Sequence, residues 1–128
     1  MQDSSHDNCP FKQIEKQELE AKKFGFYWEN LPQLIDQIQS ECSEVQTEWE
    51  SKNYSLLEEE IGDLIHATVA LAVFCKVDPK KTLQKSIQKF QKRYDSLVQL
   101  AKQDGYLQQQ PFETLIHYWN QAKILNRK

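Results

Sequence analysis

The chain has 128 residues, with 16 Lys and Arg against 19 Asp and Glu for a net charge of -3. That length supports one hydrophobic core, and the charge balance excludes an overall basic field able to hold a nucleic-acid backbone. No apolar run reaches membrane-spanning length, and the opening "MQDSSHDNCP" is polar where a signal peptide would be apolar, so the expectation is a soluble cytoplasmic protein with no nucleic-acid or membrane partner.

Three glycines and four prolines leave few breaks, and the chain reads as all-α. Residues 1–10 read as a disordered N-terminus and residues 11–128 as a single domain. "FKQIEKQELEAKKF" is a first helix with sparse apolar positions. Asn30 is an N-cap with Pro32 behind it, opening a helix with Leu34, Ile38, Cys42, Val45 and Trp49 along one stripe. That helix stops at "SKNYS". Ser55 and Glu58 have capping-box spacing before a strongly apolar helix through Leu57, Ile61, Leu64, Thr68, Leu71 and Cys75. Asp78 and Pro79 start the next, with Leu83, Ile87, Phe90, Tyr94 and Leu97 on one face, and Gly105 ends it. Pro111 begins a last helix with Phe112, Leu115, Ile116 and Trp119 inward. The architecture expected is four-helix-bundle-like, with N-terminal and C-terminal helices flanking a central antiparallel pair. Cys9, Cys42 and Cys75 are an odd set without CxxC spacing, which opposes a disulfide framework or thiolate zinc site; two of them are expected as small buried hydrophobes within helices.

The central pair carries the chemistry. Residues three apart on a helix are separated by about 60° around the axis, so Glu41 and Glu44 share a side, as do Glu60 and Asp63. Both pairs fall on the same flank of their apolar stripes, and antiparallel pairing would bring four carboxylates together. Solvated carboxylates on charged helices are the plain alternative for any one of them. Four together at a core edge need a cation, and hard oxygen ligands suit Mg²⁺, with Mn²⁺ as a substitute. Gly62, between the second pair, leaves room for close approach of a helix or a phosphate. Downstream, Lys89 and Arg93, like Trp119 and Lys123, are i,i+4 pairs; cations near a divalent metal suit a phosphorylated ligand, and Trp28 and Trp119 are candidates to stack on a base.

These residues resemble the MazG family of all-α nucleoside triphosphate pyrophosphohydrolases, whose signature is EExxE, a spacer and ExxD. "SECSE" and "EIGD" supply the match, flanked by "FGFYW", by "VDPKKTLQKSIQKFQKRY" with its KFxxR ending, and by the WxxxK of "HYWNQAK", over about residues 24–124. Ser40 departs from the pattern, standing where the family commonly has the first Glu. The resemblance implies Mg²⁺-dependent cleavage of an NTP or dNTP between its α and β phosphates to the monophosphate and pyrophosphate, in nucleotide-pool cleaning or regulation. It implies metal ligation by Glu41, Glu44, Glu60 and Asp63, with Glu41 or Glu44 also orienting the attacking water. Lys89, Arg93 and Lys123 take phosphate-binding positions, Trp28 and Trp119 base-binding ones, and the assembly expected is a homodimer or higher homo-oligomer. Rival readings are a non-catalytic nucleotide-binding or interaction module of the same fold, motivated by Ser40, and a di-iron carboxylate bundle, motivated by His66 three residues after Asp63. Sibling dUTP, dCTP or phosphoribosyl-ATP pyrophosphohydrolases are the nearest alternatives within the enzyme class.

Overall fold

The computed structural model describes residues 9–127; residues 1–8, most of the expected disordered N-terminus, lie outside the described residues. Among the described residues there are five helices and no strand: α1 Pro10–Phe24, α2 Leu31–Glu50, α3 Tyr54–Phe74, α4 Pro79–Gln103 and α5 Phe112–Leu125. The all-α reading holds. No helix among them is long and apolar enough to cross a membrane.

Local chemistry sets the helix ends. Pro10 opens α1 at its first helical position, so order begins within the segment expected to be disordered. Gly25 closes α1 with φ 100, a left-handed conformation that costs glycine no steric penalty. Asn30 caps α2 as expected, its Oδ1 accepting from the Gln33 N–H at 3.0 Å. The α2–α3 turn passes through Lys52 in the left-handed region, φ 60. The Ser55–Glu58 capping box does not form. Asn53 caps α3 instead, accepting from the Leu56 N–H at 3.3 Å, because α3 already begins at Tyr54. α4 starts at Pro79, and Gly105, at φ 89, follows its end.

The chain divides into two compact units, Met1–Lys80 and Lys81–Lys128. In the first, α2 and α3 pack along most of their lengths and α1 lies against α3. The side chains buried there are small or few: Leu34, Ala67, Ala70 and the charged Glu41. On α3 the half-buried Glu60, then Asp63, Ala67 and Ala70 follow one another at three-to-four spacing, so this line rather than the larger residues faces α2. Of the expected stripe, Leu57, Leu64 and Leu71 are half-buried while Ile61 and Thr68 are exposed, as are Cys42 and Cys75, so the two cysteines are not core residues. Alanines let the helices approach closely; the bulkier Ile61 and Ile65 are left outward.

In the second unit α4 and α5 run antiparallel. Tyr118 Oη donates to Asp104 Oδ2 at 2.7 Å, and Asn126 Nδ2 donates to Ser96 Oγ at 3.0 Å. Ala101, Tyr118 and Ala122 form the buried contact. The inward face expected for α5 is met in part: Leu115 and Trp119 are half-buried, Phe112 and Ile116 are exposed, and Tyr118 and Ala122 are the buried positions. Leu83, Ile87, Phe90 and Tyr94 on α4, expected inward, are exposed along one helix face, Phe90 being in contact with the Trp119 ring of α5.

Candidate active site

Antiparallel register across the α2–α3 seam places Leu34 near Ala67 and Ala70, and Glu41 near Glu60 and Asp63. One carboxylate oxygen each from Glu41, Glu60 and Asp63 lies within 4.8 Å of the others. The carboxylates thus sit in the seam itself, in line with its alanines, and not on a flank of the apolar stripe. Glu44 is more exposed and stands outside this tight group, but within hydrogen-bonding reach of Glu41 and Glu60.

Burial is greatest at Glu41, which is 8% exposed. Its Oε1 accepts from Gln37 Nε2 at 2.7 Å, one turn earlier on α2. Its Oε2 and the Oε2 of Glu60 are buried and have no hydrogen-bond partner. Among the described residues no lysine or arginine pairs with any of the four acids. The electrostatic consequence is large: the nearby Glu44 carboxylate, with burial, pushes Glu60 up to about 7. Burial, with Glu44 beside it, also raises Glu41. An ionised carboxylate sheds such a penalty by taking a proton or by gaining a cation. Two orphaned oxygens on hard, anionic donors fit a divalent oxygen-seeking ion.

Beside this cluster opens a cavity of about 350 Å³, walled by Phe26, Tyr27, Trp28, Leu34, Ala67 and Ala70, with Gln37, Glu41, Asp63 and His66 at its polar side. α1 contributes Glu18 and Ala21. Gly25 ends α1 and turns the aromatic run Phe26–Trp28 across this wall, which places Trp28 beside the acids. His66 hydrogen-bonds Gln17 of α1 at 3.1 Å through Nε2, and no histidine joins the acid group among the described residues. The di-iron reading loses its ligand accordingly. A Cβ on Gly62 would meet nothing within 4 Å, so among the described residues nothing makes the close approach expected there.

The remaining candidates belong to the second unit. Lys89 and Lys123 are exposed, on α4 and α5. The guanidinium of Arg93 lies 5.9 Å from the Trp119 ring centroid, and Trp119 in turn packs on Phe90 at 5.4 Å. The Arg93 Nε is buried without a partner. Trp119 is therefore held between an aromatic ring and a cation of its own unit. Sequence reasoning missed Gln37, although its i,i+4 spacing to Glu41 is visible in the sequence. It also missed His66 and Tyr27 as cavity walls, whose placement depends on how the 25–30 segment folds back.

The sequence matches the MazG nucleotide pyrophosphohydrolase domain over residues 30–98, a segment that contains all four acids, Lys89 and Arg93. It is 36% identical over 104 residues to the nucleoside triphosphate pyrophosphohydrolase/pyrophosphatase MazG of Thermotoga maritima, covering 80% of this chain and 40% of that protein. It is 29% identical over 130 residues to the nucleoside triphosphate pyrophosphohydrolase of Escherichia coli K12, covering 95% of this chain and 49% of that one. The chain thus spans half or less of the length of these curated relatives. With the family match running from the N-cap of α2 into α4, over more than half of the chain, the chain belongs to the MazG nucleotide pyrophosphohydrolase domain family.

Proposed function

We propose that this protein is a Mg²⁺-dependent nucleoside triphosphate pyrophosphohydrolase that cleaves an NTP or dNTP between the α and β phosphates, releasing the monophosphate and pyrophosphate. The observation that carries this reading is the α2–α3 seam: three carboxylate oxygens within 4.8 Å, two buried oxygens without partners, and no pairing lysine or arginine among the described residues. The family membership and the names of the two relatives support the reaction class.

Glu41, Glu60 and Asp63 would hold the metal, with Glu44 as a fourth ligand. When bound, Mg²⁺ supplies charge neutralisation to the triphosphate and a Lewis acid at its phosphate oxygens. The protein's own groups do the rest. Glu41 or Glu44 orients the attacking water and accepts its proton; at Glu41 burial, with Glu44 beside it, raises the affinity for that proton. Lys89, Arg93 and Lys123 neutralise the triphosphate tail, and Arg93 retains an unpartnered Nε for that purpose. Trp28 offers a ring to the base from the wall of the cavity beside the acids, and Trp119 is the second base-contact candidate.

The two units act together as a single MazG-like domain in this reading; the matched segment, residues 30–98, runs across their boundary at Lys80 and Lys81. A homodimer is part of the proposal, supported by the large apolar residues left exposed on α3, Ile61 and Ile65, and on α4, Ile87 and Phe90. The setting is cytoplasmic, and the role is removal of damaged or surplus nucleotides.

The test is product analysis over common and damaged NTPs and dNTPs with Mg²⁺, Mn²⁺ or EDTA. Equimolar monophosphate and pyrophosphate, abolished by EDTA, is the expected result. Release of orthophosphate and a diphosphate would overturn the cleavage position. Tight nucleotide binding without turnover would favour the interaction module that Ser40 motivates; Ser40 is exposed on α2.

A further inference from the structure

We propose that Gln37 is a positioning residue of the acid cage, holding the Glu41 carboxylate so that one oxygen is engaged by an amide and the other is kept for a cation. The inference rests on the metal reading above and adds a residue that the acid motif does not contain.

Glu41 is the most buried of the acids and the one with the least reason to stay. Glu44, Glu60 and Asp63 all act on it with like charge or shared hydrogen bonding. A glutamate side chain has three soft torsions, and nothing in helix geometry directs its carboxylate into an interhelical seam occupied by like charges. Among the described residues its one hydrogen-bond donor is Gln37 Nε2, at 2.7 Å, the short distance of a charge-assisted bond. That bond takes Oε1 and leaves Oε2 buried and unpartnered. Gln37 is itself half-buried and lines the cavity beside the acids, as Glu41 does. Ser40, adjacent to Glu41, is exposed and makes no hydrogen bond to the acid group. The amide one turn earlier is the group that fixes Glu41 in this chain.

A neutral donor suits the task better than a lysine would. Lysine at position 37 would neutralise Glu41 and compete with the metal for it, whereas an amide orients the carboxylate and leaves its charge intact. The arrangement parallels the outer hydrogen bonds that orient ligating groups in metal sites, whose loss typically weakens metal affinity about 10–100-fold.

The experiment is titration of the full chain with Mn²⁺ alone, followed by calorimetry and by the electron paramagnetic resonance signal of free Mn²⁺. Wild type is compared with Gln37→Met, which keeps side-chain length without the donor, and with Gln37→Ala, so that a folded variant is available if one packs poorly. Gln39→Leu is the control, an exposed glutamine on the same helix whose side chain has no role in the cage. Helical circular dichroism is expected to be unchanged in all, with Mn²⁺ affinity about 10–100-fold weaker in both position-37 variants and unaltered in Gln39→Leu. Wild-type affinity in folded Gln37→Met would overturn the role of Gln37 and leave the cage standing. Absence of Mn²⁺ binding by the wild type would overturn the cage and this role with it.

Discussion

Glu41 and Lys89 are both charged residues of the matched family segment, yet they are kept in opposite physical states. Glu41 sits in the α2–α3 seam at 8% exposure with an orphaned oxygen and other acids around it. Lys89 stands in solvent on α4, and the neighbouring guanidinium of Arg93 lies over an aromatic ring. A solvated lysine costs the fold almost nothing, whereas crowded carboxylates oppose it until a cation or protons arrive. The unit up to Lys80 is therefore expected to gain stability from a cation or from protons at these acids. The unit from Lys81 on is held by a hydrogen-bonded tyrosine and two buried alanines, and among the described residues it gathers no such group of carboxylates.

The sharpest way to break this comparison is to remove a seam acid. Glu60→Ala or Asp63→Ala is expected to lower kcat by at least ~10²-fold, the order seen when one group that stabilises transition-state charge is removed, while the protein stays helical. Equal turnover by either variant would remove the metal assignment. Next in size is the basic set. Lys89→Ala or Arg93→Ala is expected to raise KM for the triphosphate by about 10-fold, the order of one lost charge-assisted hydrogen bond, with a smaller change in kcat. A KM unchanged in both variants would count against the phosphate clamp.

A pH series sharpens the same contrast. With Glu60 pushed up to about 7 from a usual 4.5, the folded metal-free chain binds more protons than the unfolded chain between those values. Its stability therefore falls as pH rises through that window, the reverse of a salt-bridged carboxylate. The expected observation is a Tm in EDTA that declines from pH 5 to pH 8, flattened in Glu60→Gln, with Mg²⁺ raising Tm most at the upper end. A metal-free Tm that rises through this range would place Glu60 in an environment unlike the seam.

How much of this was open to sequence reasoning varied with the physics of each part. The ends of α2 and α4 were legible because Asn30, Pro79 and Gly105 act locally. The start of α3 was not, because Asn53 and Ser55 are both able caps and the choice follows from how the turn through Lys52 closes. The acid spacing was legible, since i,i+3 geometry is a property of any helix. The α2–α3 pairing was legible too, but Ile61 and Thr68 were read as buried because α3 carries apolar residues on more than one side, so hydrophobicity names no unique face, and the fully buried positions are Ala67 and Ala70. Exposed Phe112 and Ile116 show the same bias on α5, where the buried positions are Tyr118 and Ala122. His66 could not be matched to Gln17 at all, because the two are 49 residues apart and meet only through the packing of α1 on α3.

The smallest expected effect lies at Tyr118, and it tests the part of the comparison the acids cannot. Tyr118 is buried on α5, and its hydroxyl donates to Asp104 at the end of the α4 segment. That carboxylate, with burial, pushes the phenol up to about 12, so the donor stays protonated over the whole range in which the seam titrates. Tyr118→Phe removes the bond and leaves Asp104 able to turn to water, so the expected loss is about 1 kcal/mol, a net neutral-to-charged hydrogen bond in a partly solvated place. A few degrees of Tm should follow. Because the bond involves none of the cage groups, that loss should be the same in EDTA and in Mg²⁺, and the same at pH 5 and pH 8. If instead the Tyr118→Phe deficit grows when metal is removed, the two units share their stability, and the dependence on ligand assigned here to the α2–α3 seam belongs to the whole chain.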